Sequence, residues 1–296
     1  MILIDGKKEA AKLREELKQE VLGLKNNFKK VPGLTVILIG EMAPSQIYVR
    51  NKEKSAREDG LKSEVIKYPE SIEEKIVLEK IKELNKDDTV SGILVQLPLP
   101  KHINSDLIID SIDVNKDVDG FNVINAGKTF IGRDSVIPCT PLGCLLMLKS
   151  IKIELKGKNA VIIGRSNIVG KPMAQLLLNE DCTVTIVHSK TFNIQALVKE
   201  ADIVVAAVGS ANLVKGSWIK KGAVLIDVGI NRLKVENKNI LVGDINFNEV
   251  KDIASYITPV PGGVGPMTIA CLLMNTVFQC AKRNNVSIPN NLKKLF

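Results

Sequence analysis

Asn159-Ala-Val-Ile-Ile-Gly-Arg-Ser-Asn-Ile-Val-Gly170 decides the fold. An apolar run of strand length breaks at Gly164. A second glycine, Gly170, then opens Lys171-Pro172 and the apolar stretch Met173 to Leu178. Strand, glycine turn and helix in that order let backbone N–H groups and the positive end of a helix meet a pyrophosphate. The spacing departs from G-x-G-x-x-G: serine fills the middle position and the last glycine comes one residue late. A tight βα turn without a ligand is the alternative. The placement after a strand and before a helix favours the dinucleotide reading.

The next strand, Thr183 to Val187, ends in Val187-His-Ser-Lys190. A site for NAD usually places Asp or Glu there, against the ribose 2′-OH. No acid is present to repel a 2′-phosphate. Ser189 can hydrogen-bond one, and Arg165 or Lys190 can pair with it, so NADP is favoured over NAD. For His188 and Lys190 an ordinary polar strand end is the competing reading.

Outward from this unit, strands and helices alternate, which predicts α/β layers with mainly parallel sheets. Upstream, helices are expected at 7–29, from Pro44-Ser45 onward, and at 72–84. Strands are expected at 34–39, 64–68 and 92–97. The region 113–138 reads as a loop-rich boundary. Thr140-Pro141 reads as a helix start, with threonine as N-cap and proline at the first helical position. Downstream, strands are expected at 203–207 and 223–227, a β-hairpin over 231–242 around Glu236-Asn-Lys-Asn, and a last helix at 268–282. The loop-rich boundary divides the chain into an N-terminal α/β domain, 1–138, and a Rossmann-type dinucleotide-binding domain, 139–267.

The 296 residues suit about two domains. The 45% hydrophobic and 25% charged fractions are those of an ordinary globular protein. Disorder is expected only near Asn290 to Phe296. The net charge of +8 is spread among glutamates, as in Lys7-Lys8-Glu9, and only 4% of residues are aromatic. That argues against a nucleic-acid partner, although a positive field helps attract a polyanionic small substrate. The cysteines Cys139, Cys144, Cys182, Cys271 and Cys280 form no CxxC and sit mostly in apolar runs, so buried thiols in a reducing compartment are expected. Two histidines support no Cys/His zinc cluster. Met1-Ile-Leu-Ile is too short for a signal-peptide core, and no run of about 18 apolar residues predicts a membrane span. The expected location is the cytoplasm.

Three features of the first half carry chemistry. Tyr48 and Lys52 stand four residues apart on a helix and project from one face. A phenol beside an amine can handle protons once burial or neighbours lower the lysine pKa. Read alone, on lysine statistics, Lys52 is far better taken as a solvated helix lysine. Gln96 sits in the apolar run Ile93-Leu-Val-Gln-Leu97, where a buried amide must find partners. It can bond backbone or orient Lys52. Asp119 lies in Lys116-Asp-Val-Asp-Gly-Phe121, a turn with Asp117. A metal is disfavoured because no third carboxylate follows at ligand spacing. In the second half, Pro259-Val-Pro-Gly-Gly-Val-Gly-Pro266 precedes a helix, and its glycines let backbone approach a ligand closely, although a rigid entry loop is the competing reading.

Together these motifs resemble one family. Tyr48-x-x-x-Lys52, Gly92-Ile-Leu-Val-Gln-Leu-Pro-Leu-Pro100, Lys116-Asp-Val-Asp-Gly120, Pro138-Cys-Thr-Pro141, Gly164-Arg-Ser-x-Ile-Val-Gly170 and Pro259-Val-Pro-Gly-Gly-Val-Gly-Pro-Met-Thr268 follow in the order of the bifunctional methylenetetrahydrofolate dehydrogenase/methenyltetrahydrofolate cyclohydrolase (FolD) family. The resemblance runs from Val31 to Thr276. The start Glu41-Met-Ala before Pro44-Ser45 departs from the family's usual small or acidic residues.

The resemblance implies two α/β domains with a cleft between them, the first a folate-binding and catalytic domain, 1–138, completed by 268–296, since the C-terminal helix returns to it. It implies NADP-dependent oxidation of 5,10-methylenetetrahydrofolate to the 5,10-methenyl cation, then hydrolysis to 10-formyltetrahydrofolate, within one-carbon metabolism and purine biosynthesis. Lys52 corresponds to the family's catalytic lysine. Tyr48 packs on the folate and places Lys52, Gln96 hydrogen-bonds and tunes Lys52, and Asp119 grips the pterin. Pro261 and Gly262 line the folate side. Gly164, Arg165, Ser166, Ile168, Val169, Gly170, Ser189 and Ile230 meet the cofactor. No metal is implied, and a homodimer through the nucleotide domain is, with the 231–242 hairpin as a contributor. A short-chain dehydrogenase also uses Tyr-x-x-x-Lys, but places it after the glycine loop rather than before it. The remaining alternatives are an NAD-dependent, dehydrogenase-only relative and a non-catalytic NADP- or folate-binding protein.

Overall fold

The computed structural model describes residues 1–235 and 238–287. In chain order the elements are β1 (Ile2–Leu3), α1 (Gly6–Phe28), β2 (Gly33–Ile39), α2 (Ala43–Glu58), β3 (Lys62–Tyr68), α3 (Glu74–Lys86) and β4 (Gly92–Val95). There follow α4 (Ser105–Asp110), α5 (Val123–Phe130), α6 (Cys139–Ser150), β5 (Asn159–Ile163), α7 (Gly170–Asn179), β6 (Thr183–Val187), α8 (Ile194–Lys199) and β7 (Ile203–Ala206). After a short 3₁₀ turn come β8 (Val224–Asp227), β9 (Asn231–Val235), β10 (Lys238–Val242), α9 (Phe247–Val250), β11 (Tyr256–Ile257) and α10 (Val264–Arg283).

The chain forms two compact α/β units. The first comprises Ala11–Cys139 with the chain from Ile269 onward; the second comprises Met1–Ala10 with Thr140–Thr268. The first holds a three-stranded parallel sheet in the order β3-β2-β4. β2 is buried along its whole length, as expected of a central strand covered on both faces. Ile37, Ile39 and Ile93 pack there against Val77, Ile81 and Leu84 of α3. The segment after α4 runs alongside β4: Ile93 N donates to Lys116 O at 2.7 Å. α10 belongs to this unit from Ile269 on. Its Asn275 Nδ2 donates to Val118 O and Ile137 O, and its Arg283 donates to Val90 O. Gly92 is required at this packing, since a Cβ there would press on Val118 and Thr276.

The second unit is built on a six-stranded parallel sheet, β1-β11-β8-β7-β5-β6, with the separate antiparallel pair β9-β10. Val161, Ile163, Val204 and Leu225 form the centre of its core.

Several expectations change. Residues 1–10 were expected in the first domain but group with the second unit. β1 adds a parallel edge strand to β11, with Ile2 N on Ser255 O and Ile4 N on Ile257 O. Two residues are too short a strand to leave a periodic pattern. β4 ends at Val95, so Gln96 stands just past the strand. A helix, α5, occupies part of the presumed loop, capped by Asn122, whose side chain accepts from Ile124 N. α10 starts at Val264 rather than Thr268, with Pro266 in its first turn, where proline removes no helical hydrogen bond. α10 has the length and apolar composition to cross a bilayer, but its apolar window is 72% buried within the protein, so it reads as a core helix. The hairpin tip at Glu236-Asn237 and the expected disorder at Asn290 to Phe296 lie outside the described residues.

Candidate active site

Helix α2 buries the stripe Ser45, Val49, Lys52 and Ala56, at steps of four, three and four. That is one face of an α-helix, and it carries a lysine inward: Lys52 is 4% exposed. Its Nζ donates to Gln96 Oε1 at 3.1 Å and lies 4.7 Å from the centroid of the Tyr48 ring. Gln96 is held in turn. Its N–H donates to Ile37 O at 2.9 Å and its Nε2 to Leu97 O at 2.8 Å, which turns Oε1 toward the lysine.

Asp119 and Cys139 complete the cluster. Burial pushes the Lys52 pKa down, opposed by the charges of Asp119 and Cys139. Burial pushes the Asp119 carboxyl up, opposed by Lys52 and by a hydrogen bond from Cys139. The Cys139 thiol is raised well above its usual range by burial and then by Asp119. Val118 O, 3.2 Å from its Sγ, is the alternative acceptor for the same S–H. The neighbouring Asp117 is not a free ligand. Its carboxylate accepts Gly120 N, Phe121 N, Asn122 N and Asn125 Nδ2, and so shapes the turn that presents Asp119. A buried amine, a neutral amide acceptor, a carboxylate and an aromatic face thus meet in the first unit. This set can move a proton at Lys52 and receive amide and amino donors at Asp119.

The second unit carries the glycine turn. At Gly164 φ is +123°, a conformation that favours glycine. A Cβ on Gly170 would overlap Gly164 O, so the helix can start hard against the strand only because residue 170 has no side chain. Ser166 Oγ accepts from Val169 N at 3.1 Å and Gly170 N at 3.3 Å. Arg165, Ser166 and Ile168 are exposed on the turn. Arg165 Nη1 lies 3.5 Å from His188 Nε2, which brings the arginine to the end of β6, beside exposed Ser189 and Lys190. Ile230, 58% exposed, follows β8. This cradle of glycines and a basic, acid-free strand end fits a dinucleotide carrying a 2′-phosphate.

Pro261 and Gly262 also belong to the second unit. Gly262 has φ +106°, and its carbonyl accepts Lys7 N at 3.1 Å. Tyr48, Lys52, Gln96 and Asp119 are therefore brought together in the first unit, while of the residues expected at the cofactor Gly164, Arg165, Ser166, Ile168, Val169, Gly170 and Ser189 lie at the turn after β5 and the end of β6, and Ile230 stands apart after β8. In the sequence Asp117 is weighed only as a metal ligand, and Cys139, Asp227 and Asp244 have no assigned role. Cys139 could have been flagged by the motif Pro138-Cys-Thr-Pro141. The aspartates could have been flagged as acids in or beside apolar strands.

Residues 4–119 match the family model for the tetrahydrofolate dehydrogenase/cyclohydrolase catalytic domain, and residues 138–285 match that of the NAD(P)-binding domain. The "Bifunctional protein FolD" of Pelagibacter ubique is 64% identical over 284 residues, covering 96% of this chain and 99% of that protein. The crystal structure of FolD from Campylobacter jejuni is 48% identical, with a TM-score of 0.92 over 96% of this chain and 99% of its own. The enzyme of Trypanosoma brucei, solved with NADP cofactor and inhibitor, is 39% identical, with a TM-score of 0.93 over 97% and 99%.

Proposed function

The chain belongs to the tetrahydrofolate dehydrogenase/cyclohydrolase family, and from that premise we propose how its own residues carry out the two reactions. It is a bifunctional enzyme. It oxidises 5,10-methylenetetrahydrofolate with NADP⁺ to 5,10-methenyltetrahydrofolate and hydrolyses that cation to 10-formyltetrahydrofolate.

The observation that carries the assignment of roles is the buried Lys52 Nζ donating to Gln96 Oε1. NADP⁺, when bound, supplies the acceptor for hydride at C4 of its nicotinamide. The folate nitrogen lone pair supports the cation that develops, so the dehydrogenase step asks the protein for placement rather than for a strong base. Asp119 places the pterin by accepting from its amide and amino groups, and Tyr48 packs on the ring. In the second step water adds to the cation and loses a proton. Lys52 as the neutral amine takes that proton. A lysine in water titrates at about 10.4, so a base working near neutrality needs a lowered pKa. Burial of Lys52 and the positive charge of the substrate act in that direction.

In the second unit Gly164, Ser166, Val169 and Gly170 cradle the pyrophosphate, Ile168 and Ile230 cover the cofactor, and Arg165 with Ser189 reads the 2′-phosphate. Pro261 and Gly262 line the folate side. We place the enzyme in a reducing cytoplasm, supported by five buried cysteines that form no disulfide. There its product supplies one-carbon units to purine biosynthesis. We take it to be a homodimer through the nucleotide unit, with the β9-β10 hairpin contributing. A dehydrogenase-only, NAD-dependent relative is disfavoured by the bond from buried Lys52 to half-buried Gln96 and by the acid-free end of β6.

The test is a spectrophotometric assay of methylenetetrahydrofolate oxidation with NADP⁺ and with NAD⁺, followed by hydrolysis of methenyltetrahydrofolate. Higher kcat/KM with NADP⁺ and turnover in both steps are expected. Equal use of both nucleotides, or no hydrolysis, contradicts the reading.

A further inference from the structure

The sheet of the second unit runs β8-β7-β5-β6 at its centre. The chain leaves β5 toward β6 on one side and then crosses to β7 on the other. The topological switch point therefore lies between β5 and β7, where open parallel sheets take their ligands beyond the C-terminal strand ends. The two loops there are the glycine turn after β5 and residues 207–210 after β7. They touch, since a Cβ on Gly164 would overlap Ala207 O. The β6 end reads the 2′-phosphate and the β5 turn holds the pyrophosphate. The loops after β7 and β8 therefore face the nicotinamide half of the dinucleotide.

A buried carboxylate controls the loop after β7. Asp244 is 0% exposed. Its Oδ2 accepts Val208 N at 2.7 Å and Gly209 N at 3.0 Å, and its Oδ1 accepts Ser210 N at 2.8 Å and Asn231 Nδ2 at 2.9 Å. Three successive backbone N–H groups of one loop, and the residue after Ile230, thus end on one side chain. Asp244 is itself seated. Its N–H donates to Asp227 Oδ1 at 2.8 Å, and Asp227 also accepts Gly229 N and Ile245 N. Glycines close the packing: a Cβ on Gly229 would overlap the Asp244 carboxylate, and one on Gly243 the carboxylate of Asp227.

We propose that Asp244, seated on Asp227, is a positioning residue of the dehydrogenase reaction, fixing the loop after β7 and the Ile230 segment where they meet the nicotinamide half of NADP⁺. This rests on reading the second unit as the NADP⁺ site. Only an acceptor-only group with two oxygens can take four donors at this place. An asparagine of the same shape turns its NH₂ toward two N–H donors whichever way the amide is rotated, and buried donors left without an acceptor move the backbone that carries them.

Hydrolysis of methenyltetrahydrofolate consumes no nucleotide, so it serves as an internal control of folding. In Asp244→Asn the KM for NADP⁺ is expected to rise by at least about tenfold while hydrolysis stays within about twofold of wild type. The milder Asn231→Ala removes one of the four donors and is expected to raise KM by about threefold. It decides the matter where Asp244→Asn does not fold. Unchanged KM for NADP⁺, or an equal fall of both activities at unchanged KM, overturns the proposal. A wild type that fails to oxidise methylenetetrahydrofolate with NADP⁺ overturns the underlying reading as well; an active wild type with unaffected variants overturns only the positioning role.

Discussion

Lys52 gives its hydrogen bond to a neutral partner: Nζ donates to Gln96 Oε1 at 3.1 Å, while the same amide donates to Leu97 O at 2.8 Å. A carboxylate in that place would favour the ammonium form. The amide orients the lysine without adding a negative charge beside it, leaving burial as the dominant effect on its pKa. The distinction matters because only the neutral amine can take a proton.

Gln96→Glu tests that distinction. The added charge raises the Lys52 pKa, so the base form appears only at higher pH. The acid limb of the pH–rate profile for methenyltetrahydrofolate hydrolysis is expected to move upward, with kcat at neutral pH falling by at least about tenfold.

Asp119→Asn acts with the opposite sign on the lysine. Asp119 is the larger of two influences that hold the Lys52 pKa up against burial. Its removal lowers that pKa, and the acid limb moves to lower pH. The pterin also loses its charged acceptor, so KM for the folate is expected to rise by about tenfold or more in both reactions. Steady-state kinetics across pH separates the two effects.

Arg165→Ala removes the guanidinium that reaches the end of β6. The ratio of kcat/KM for NADP⁺ over NAD⁺ is expected to fall by about ten- to a hundredfold, with the loss confined to NADP⁺. An equal loss for both nucleotides would show that the arginine contacts the pyrophosphate instead.

Asp227 makes stability pH-dependent. Burial raises its folded-state pKa to about 7, against about 3.9 in an unfolded chain. The folded protein then binds more protons than the unfolded one between those values, so this group's contribution is complete below about pH 4 and is lost as pH rises toward 7. Chemical denaturation of wild type across that window should show the decline, and Asp227→Asn should flatten it.

Much of this was legible in the sequence, for identifiable reasons. The Gly164 turn is flanked by a pure apolar strand and an apolar helix, so its geometry follows from local pattern. Tyr48 and Lys52 lie on one helix, and helical spacing alone puts them on one face. Gln96 announced itself as an amide among aliphatic residues, although the strand stops one residue before it. What pattern could not show was long-range. β1 exists only because β11 lies beside it. Cys139 meets Asp119 through tertiary packing, as the 3.2 Å approach of its Sγ to Val118 O attests. Asp244 has its partners in the loop after β7 and in Asn231, and no spacing in the chain encodes that.

Hydrolysis of 5,10-methenyltetrahydrofolate by Lys52→Gln, with NADP⁺ affinity measured on the same preparation, tests the central claim most directly. Loss of hydrolysis by about a hundredfold or more with unchanged NADP⁺ binding is the expected result. Hydrolysis at the wild-type rate by this variant would contradict the assignment of Lys52 as the base.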